Sequence, residues 1–181
     1  MIGRFAAVAI AAGLVAGSSP VAMTAPAAAG LCRAGETPVY SCRFGRKIGS
    51  VCGGAKSVTY RFGSAAKTEM EIASKPNWSN VRLGFVTGQQ GGHQSHIRFT
   101  RGDTHYIVFE GANGQAAINP GHSYSGIAIV AGADGGKELG RLDCGNGQDA
   151  SAMAEAVRNR APAMLRERLD ETTDGPFDGW F

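Results

Sequence analysis

What this chain lacks narrows its function more than what it contains. It has no apolar run of membrane length: the stretch from Phe5 to Gly17 falls short of the roughly 20 residues a span needs. It has no Cys-x-x-Cys pair, the spacing that structural zinc sites favour. Charge is sparse, at 18% of residues, and no Lys/Arg cluster offers a surface to nucleic acid or to anionic lipid. Gly88, Gly91 and Gly92 match no phosphate-binding pattern. No histidine follows His122, which excludes the hydrolase order in which the base comes after the nucleophilic serine. There is no internal repeat. With 27 glycines and few charges, the composition is that of a β-rich domain with many turns rather than of a disordered chain.

What is present begins with an export signal. Arg4 is followed by the apolar stretch and then by small residues ending Ala27-Ala28-Ala29, the order of a secretory signal cleaved between Ala29 and Gly30. Leu31 precedes Cys32, where a lipoprotein would carry a small residue, so Cys32 is read as a disulfide partner. Cleavage leaves 152 residues with 17 basic against 15 acidic side chains, enough for one domain with its own core. The expected organisation is a signal peptide at 1–29, a disulfide-tied β domain at 30–147, and at 148–181 a C-terminal helix with an acidic-aromatic tail. Localisation is expected to be periplasmic or secreted, with Cys32, Cys42, Cys52 and Cys144 oxidised in pairs.

Short runs of alternating apolar residues between Gly, Asn and Asp turns fill the body of the chain. Strands are expected near Tyr40–Phe44, Ile48–Cys52, Val58–Phe62, Thr68–Ile72, Val81–Thr87, His96–Thr100, His105–Glu110, Ser123–Val130 and Glu138–Asp143. A three-residue loop at Gly45-Arg46-Lys47 sets Phe44 opposite Ile48 and Cys42 opposite Ser50, with all apolar side chains on one face. Around Gly102-Asp103, Ile97 and Phe99 are expected to meet Ile107 and Phe109, leaving His96 and Glu110 as an exposed pair. From Ser151 the period changes: Met153, Val157, Ala161, Leu165 and Leu169 form one helical stripe, with a kink or a break near Pro162. The fold class is thus mainly β, an antiparallel β sandwich or barrel with a C-terminal amphipathic helix, tied by two disulfides.

Four cysteines allow three pairings. In that register Cys42 and Cys52 are diagonal, ~7–8 Å apart, beyond the roughly 4.4–6.8 Å that a disulfide spans. The favoured pairing is therefore Cys32–Cys42 with Cys52–Cys144, the other pairings staying open.

Motifs that suggest chemistry have plainer explanations. Gly121-His122-Ser123-Tyr124-Ser125 misses the final glycine of a nucleophile elbow and runs into a strand, not a helix. His93, His96, His105 and His122 could ligate a metal only if the fold gathered them. Glu69 and Glu71 share one strand face, with nothing beside them to split their pKa values as catalytic carboxylates require. Arg101-Gly102-Asp103 is an integrin-type tripeptide at a hairpin tip, where turn chemistry alone selects Gly-Asp. Asn77-Trp78-Ser79 is a formal glycosylation acceptor. No catalytic set, cofactor or metal is expected. The Gly84–Ser95 region and the Asn113–Ser123 loop are rich in Gly, Gln and Asn and expected to be exposed. They mark Gln89, Gln90, Gly91, Gly92, Asn113 and Asn119 as candidate binding positions.

Cys32-x9-Cys42-x9-Cys52, with Tyr60-Arg61-Phe62-Gly63 and the late Cys144, resembles small exported β-rich, four-cysteine proteins of Gram-negative bacteria over residues 31–144. The resemblance implies an envelope or secreted β domain and carries no activity or functional residue across. Periplasmic lysozyme inhibitors are similar in type only: the Ser-Gly-x-x-Tyr loop of their c-type members lacks its tyrosine after Ser125-Gly126 here. The expected function is a non-enzymatic binding or envelope-associated protein, its partner an envelope or foreign protein. The alternative is an inhibitor of a hydrolase such as lysozyme. No oligomeric state is implied.

Overall fold

Alternation of apolar and polar residues over seven to nine positions builds nine strands in the computed structural model, which describes residues 30–132, 137–144 and 150–170. Strands β1 (Thr37–Phe44), β2 (Lys47–Gly53), β3 (Val58–Ser64) and β4 (Lys67–Ala73) form a four-stranded antiparallel sheet in sequence order. Strands β5 (Val81–Thr87), β6 (His93–Arg101), β7 (Thr104–Ala112), β8 (Ser123–Ala131) and β9 (Lys137–Cys144) form a five-stranded one. The two sheets pack face to face as a sandwich, not a barrel. Tyr40, Val51, Val58, Tyr60 and Ile72 meet Leu83, Ile97, Phe99, Val108 and Ile127 between them. The Tyr60 ring centre lies 5.8 Å from that of Phe99 and 5.7 Å from that of Tyr106.

Turn chemistry corrects the expected registers. The first hairpin turns on Gly45-Arg46 alone, with Phe44 paired to Lys47 and Cys42 to Gly49. Gly45 takes φ 60°, the left-handed conformation that the first central position of a two-residue type II′ turn demands. One residue fewer in the loop exchanges the faces of β2. Gly49 and Val51 now point inward, where a Cβ on Gly49 would strike Ile127 of the opposite sheet, and Ser50 and Cys52 point outward. The same happens at Gly102-Asp103: Arg98 pairs with Ile107 and His96 with Phe109, so Ile107 and Phe109 lie on the opposite face from Ile97 and Phe99. His96 and Glu110 do not pair; both are buried, on opposite faces of the five-stranded sheet.

The disulfides follow the faces. Cys42 points inward and joins Cys144 of the other sheet, Cα to Cα 6.1 Å, while Cys52 points outward and joins Cys32, 5.3 Å. The expected Cys32–Cys42 and Cys52–Cys144 pairing is therefore wrong, because it rested on Cys42 and Cys52 sharing a face. Residues 30–36 cross the outer face of the four-stranded sheet, with the Leu31 amide donating to Ser50 Oγ at 3.0 Å. Beneath them the Arg61 side chain, 2% exposed, binds both carboxylate oxygens of Glu36 and one of Glu71. Arg61 holds the Glu36 carboxyl below its ordinary range, chiefly through the hydrogen bonds it donates.

The helical stripe closes the sandwich. Helix α1 (Ala150–Arg158) touches β1, β6 and β7, and Pro162 separates it from a 3₁₀ turn at Ala163–Leu169. Met153, Val157, Ala161, Leu165 and Leu169 all join the cluster between the sheets, around the buried Trp78. Asp170 accepts from Arg158 and forms a parallel bridge with Leu83 on edge strand β5. No helix among the described residues is long and apolar enough to cross a membrane. The expected signal at 1–29 and the expected tail beyond Asp170 lie outside the described residues.

Candidate functional site

Of the chemical motifs, none becomes a reaction centre. His122 and Ser123 are exposed, and Ser123 opens β8, paired with Ala112, so a strand stands where the elbow needs a helix. The histidines are dispersed. His93 opens β6, which places it in a strand rather than in the loop. His105 sits between Thr100 Oγ1 and the Gly132 carbonyl, at 3.0 Å from each. His96 lies against Gly84. Glu69 pairs with Lys47, and Glu71 with Arg33 and Arg61, so each carboxylate already has a cation. Arg101-Gly102-Asp103 does occupy the β6–β7 tip. Cys32, Glu36 and Cys52 come close together, but both sulfurs are spent in the disulfide.

The two candidate binding loops are brought side by side. Gly84–Thr87 and His93–Ser95 are strand, which reduces the first loop to Gly88–Gly92, closed by the Gly88 amide donating to the Gly92 carbonyl at 2.8 Å. Gln90 takes φ 51°, a left-handed conformation that costs a non-glycine residue about 1–2 kcal/mol. Its carbonyl accepts from the Gln115 amide of the β7–β8 loop at 3.1 Å, which ties the loops together. That second loop is braced from within. The Asn113 amide donates to the His122 carbonyl, the Gly121 amide to the Asn113 carbonyl, and Asn113 Nδ2 to the Asn119 carbonyl at 3.1 Å. Asn113 and Asn119 therefore shape the loop. Its apex presents Ile118, 99% exposed, a residue the sequence reading passed over although it is the one large apolar side chain between Asn113 and Pro120. Phe85, 52% exposed, stacks on His93 at the same end of the sheet, 6.4 Å between ring centres.

Three glycines on the outer face of the five-stranded sheet make a second feature. Each lies under a ring: Gly84 under His96, Gly111 under Tyr124, and Gly126 under Phe109. A Cβ at Gly111 would come within 2.7 Å of the Tyr124 ring, and one at Gly126 within 2.6 Å of Phe109. The Tyr124 hydroxyl donates to Gln94 Oε1 at 3.4 Å, and burial pushes its pKa up. The Arg141 guanidinium sits 5.5 Å over the Phe109 ring. The result is a flat apolar platform with cationic borders, and the single-sequence signal for it was glycine placed at strand positions.

Inside the sandwich, Ser95, Glu110 and Ser125 stand abreast on β6, β7 and β8, facing Tyr40. All four are buried, and burial pushes the Tyr40 hydroxyl far up its titration range. Ser125 is also the register partner of Cys144, so this polar row runs up to the inter-sheet disulfide. The row lies between the two sheets, out of contact with solvent. No family model, curated protein or solved structure matches the chain.

Proposed function

We propose that this chain is an exported, non-enzymatic binding module that takes its partner at the paired β5–β6 and β7–β8 loops. The observation that carries the reading is Ile118: a large aliphatic side chain, almost wholly exposed, on a loop held by backbone hydrogen bonds at both ends. Ordering a loop costs conformational entropy, and displaying isoleucine to water returns nothing to the fold. Burying that side chain against a partner contributes about 1.5–3 kcal/mol. The strained Gln90 and the Phe85–His93 stack lie at the same end of the sheet, and strain of this kind concentrates at working loops. Two disulfides and the signal-like leader support folding in an oxidising compartment, which we place in the periplasm or outside the cell.

The test is a paired capture from an envelope extract, with oxidised residues 30–181 as bait beside the variant Ile118→Asp. The expected outcome is a stoichiometric partner retained by the first and lost by the second, with melting temperatures within a few degrees. Capture that survives Ile118→Asp removes the loop pair from the reading. The protruding Ile118 also favours a second reading, insertion into the cleft of a hydrolase such as lysozyme. That one requires dose-dependent inhibition in a lysozyme and protease panel, abolished by the same substitution.

A further inference from the structure

The outer face of the five-stranded sheet is buried, although no described element lies over it. Ile107 and Ala128 are 0% exposed, Phe109 2% and Val130 4%. Neighbours in the plane of a sheet shield the flanks of a side chain but leave its end open, and exposures near zero call for a second layer. Neither α1 nor the 3₁₀ turn supplies it, because their apolar side chains belong to the cluster on the other face.

We propose that the chain's own C-terminal segment, residues 171–181, is that layer, seating Phe177, Trp180 and Phe181 on the Phe109–Tyr124 platform. Composition separates it from the other segments outside the described residues. Residues 133–136 (Ala-Asp-Gly-Gly) and 145–149 (Gly-Asn-Gly-Gln-Asp) hold no large apolar side chain, and 1–29 form the expected export signal. Reach also fits. The described chain ends at Asp170, bridged to Leu83 on β5, the edge of this same sheet. At about 4.8 Å between strands, β7 and β8 stand roughly 10–15 Å away. Eleven extended residues span up to ~36 Å. Charge complements: the segment carries Glu171, Asp174 and Asp178, and the face carries Arg98 and Arg141. The face is thus a receptor for an acidic, aromatic C-terminal peptide, filled from within the molecule and distinct from the loop pair.

The experiment places a benzophenone side chain at position 180 of the full oxidised chain, irradiates it, and maps the crosslinks by mass spectrometry. Crosslinks within one molecule to β7 or β8, around Ile107–Phe109 and Ala128–Val130, are the expected result. Crosslinks between two molecules would give the face to a second copy, and crosslinks elsewhere would leave it to a foreign partner; either overturns the proposal. A companion variant, Phe177→Ala/Trp180→Ala/Phe181→Ala, is expected to bind the dye ANS and to lose amide-exchange protection at Ile107–Phe109 while keeping it at Val51 and Tyr60. Unchanged protection at Ile107–Phe109 in that variant would show that the tail is not the cover.

Discussion

Removing the two disulfides in turn separates the roles that the faces of β1 and β2 give them. The Cys42–Cys144 bond closes 102 residues and ties the sheets together, whereas Cys32–Cys52 closes 20 and fastens only residues 30–36. Loop-closure entropy assigns about 4.7 kcal/mol to the first and about 3.3 kcal/mol to the second. With an unfolding entropy of about 2.1 cal/mol/K per residue over about 150 residues, each kcal/mol shifts the melting temperature by roughly 3 °C. Cys42→Ala/Cys144→Ala should therefore melt ~15 °C below the parent, and Cys32→Ala/Cys52→Ala ~10 °C below. The assay is thermal unfolding followed by circular dichroism, accompanied by peptide mapping under non-reducing conditions. A peptide joining Cys32 to Cys42 would refute the observed faces outright. A larger loss from the short-loop pair than from the long-loop pair would refute the entropic account.

Three further substitutions probe the layers on either side of the sandwich. Glu36 titrates low because Arg61 donates to it, so its share of stability is complete above its ordinary value near 4.5 and disappears as pH falls through the depressed value. In urea melts, Glu36→Gln should cost about 1–3 kcal/mol at pH 7 and nothing further on acidification from this group; an equally steep acid loss in the variant would clear Glu36 of the role. On the opposite sheet, Gly126→Val drives a side chain into the Leu142 carbonyl and the Phe109 ring and should cost about 1–3 kcal/mol or more. Gly140→Ala, which meets nothing within 4 Å, should stay within about 0.5 kcal/mol, and equal effects at the two sites would dissolve the ring-on-glycine platform.

The strands were legible because each carries its own alternation: all nine stand close to where the apolar periodicity places them, and the helical stripe from Met153 to Leu169 faces the core. Which face of each strand turned inward was not legible from that alternation. Phe44, Ile48 and Cys52 read as one continuous apolar face, yet the chain turns on Gly45-Arg46 and sends Ile48 and Cys52 outward, where Ile48 is nonetheless buried. The reason is general to this fold. Each sheet buries apolar side chains on both faces, the outer face of the first beneath residues 30–36, so an apolar residue is comfortable on either face and hydrophobicity alone cannot choose the register. Turn chemistry can, and the glycine at the first central position of Gly45-Arg46 and Gly102-Asp103 was the signal that held the answer.

The loop pair was half legible for a related reason. Polar composition marks Gln89–Gly92 and Asn113–His122 as loops, and the meander order of the strands sets them at one end of the sheet, but the tie between them is a long-range backbone bond, from the Gln115 amide to the Gln90 carbonyl, which leaves no side-chain trace. Composition also drew attention to the asparagines, whose side chains and backbone brace the loop, and away from Ile118, which the bracing displays. In a loop built this way the polar residues are scaffold, and on the proposed function the lone apolar residue is the surface that meets the partner, so Ile118 and not Asn113 or Asn119 is the position at which binding and stability should separate.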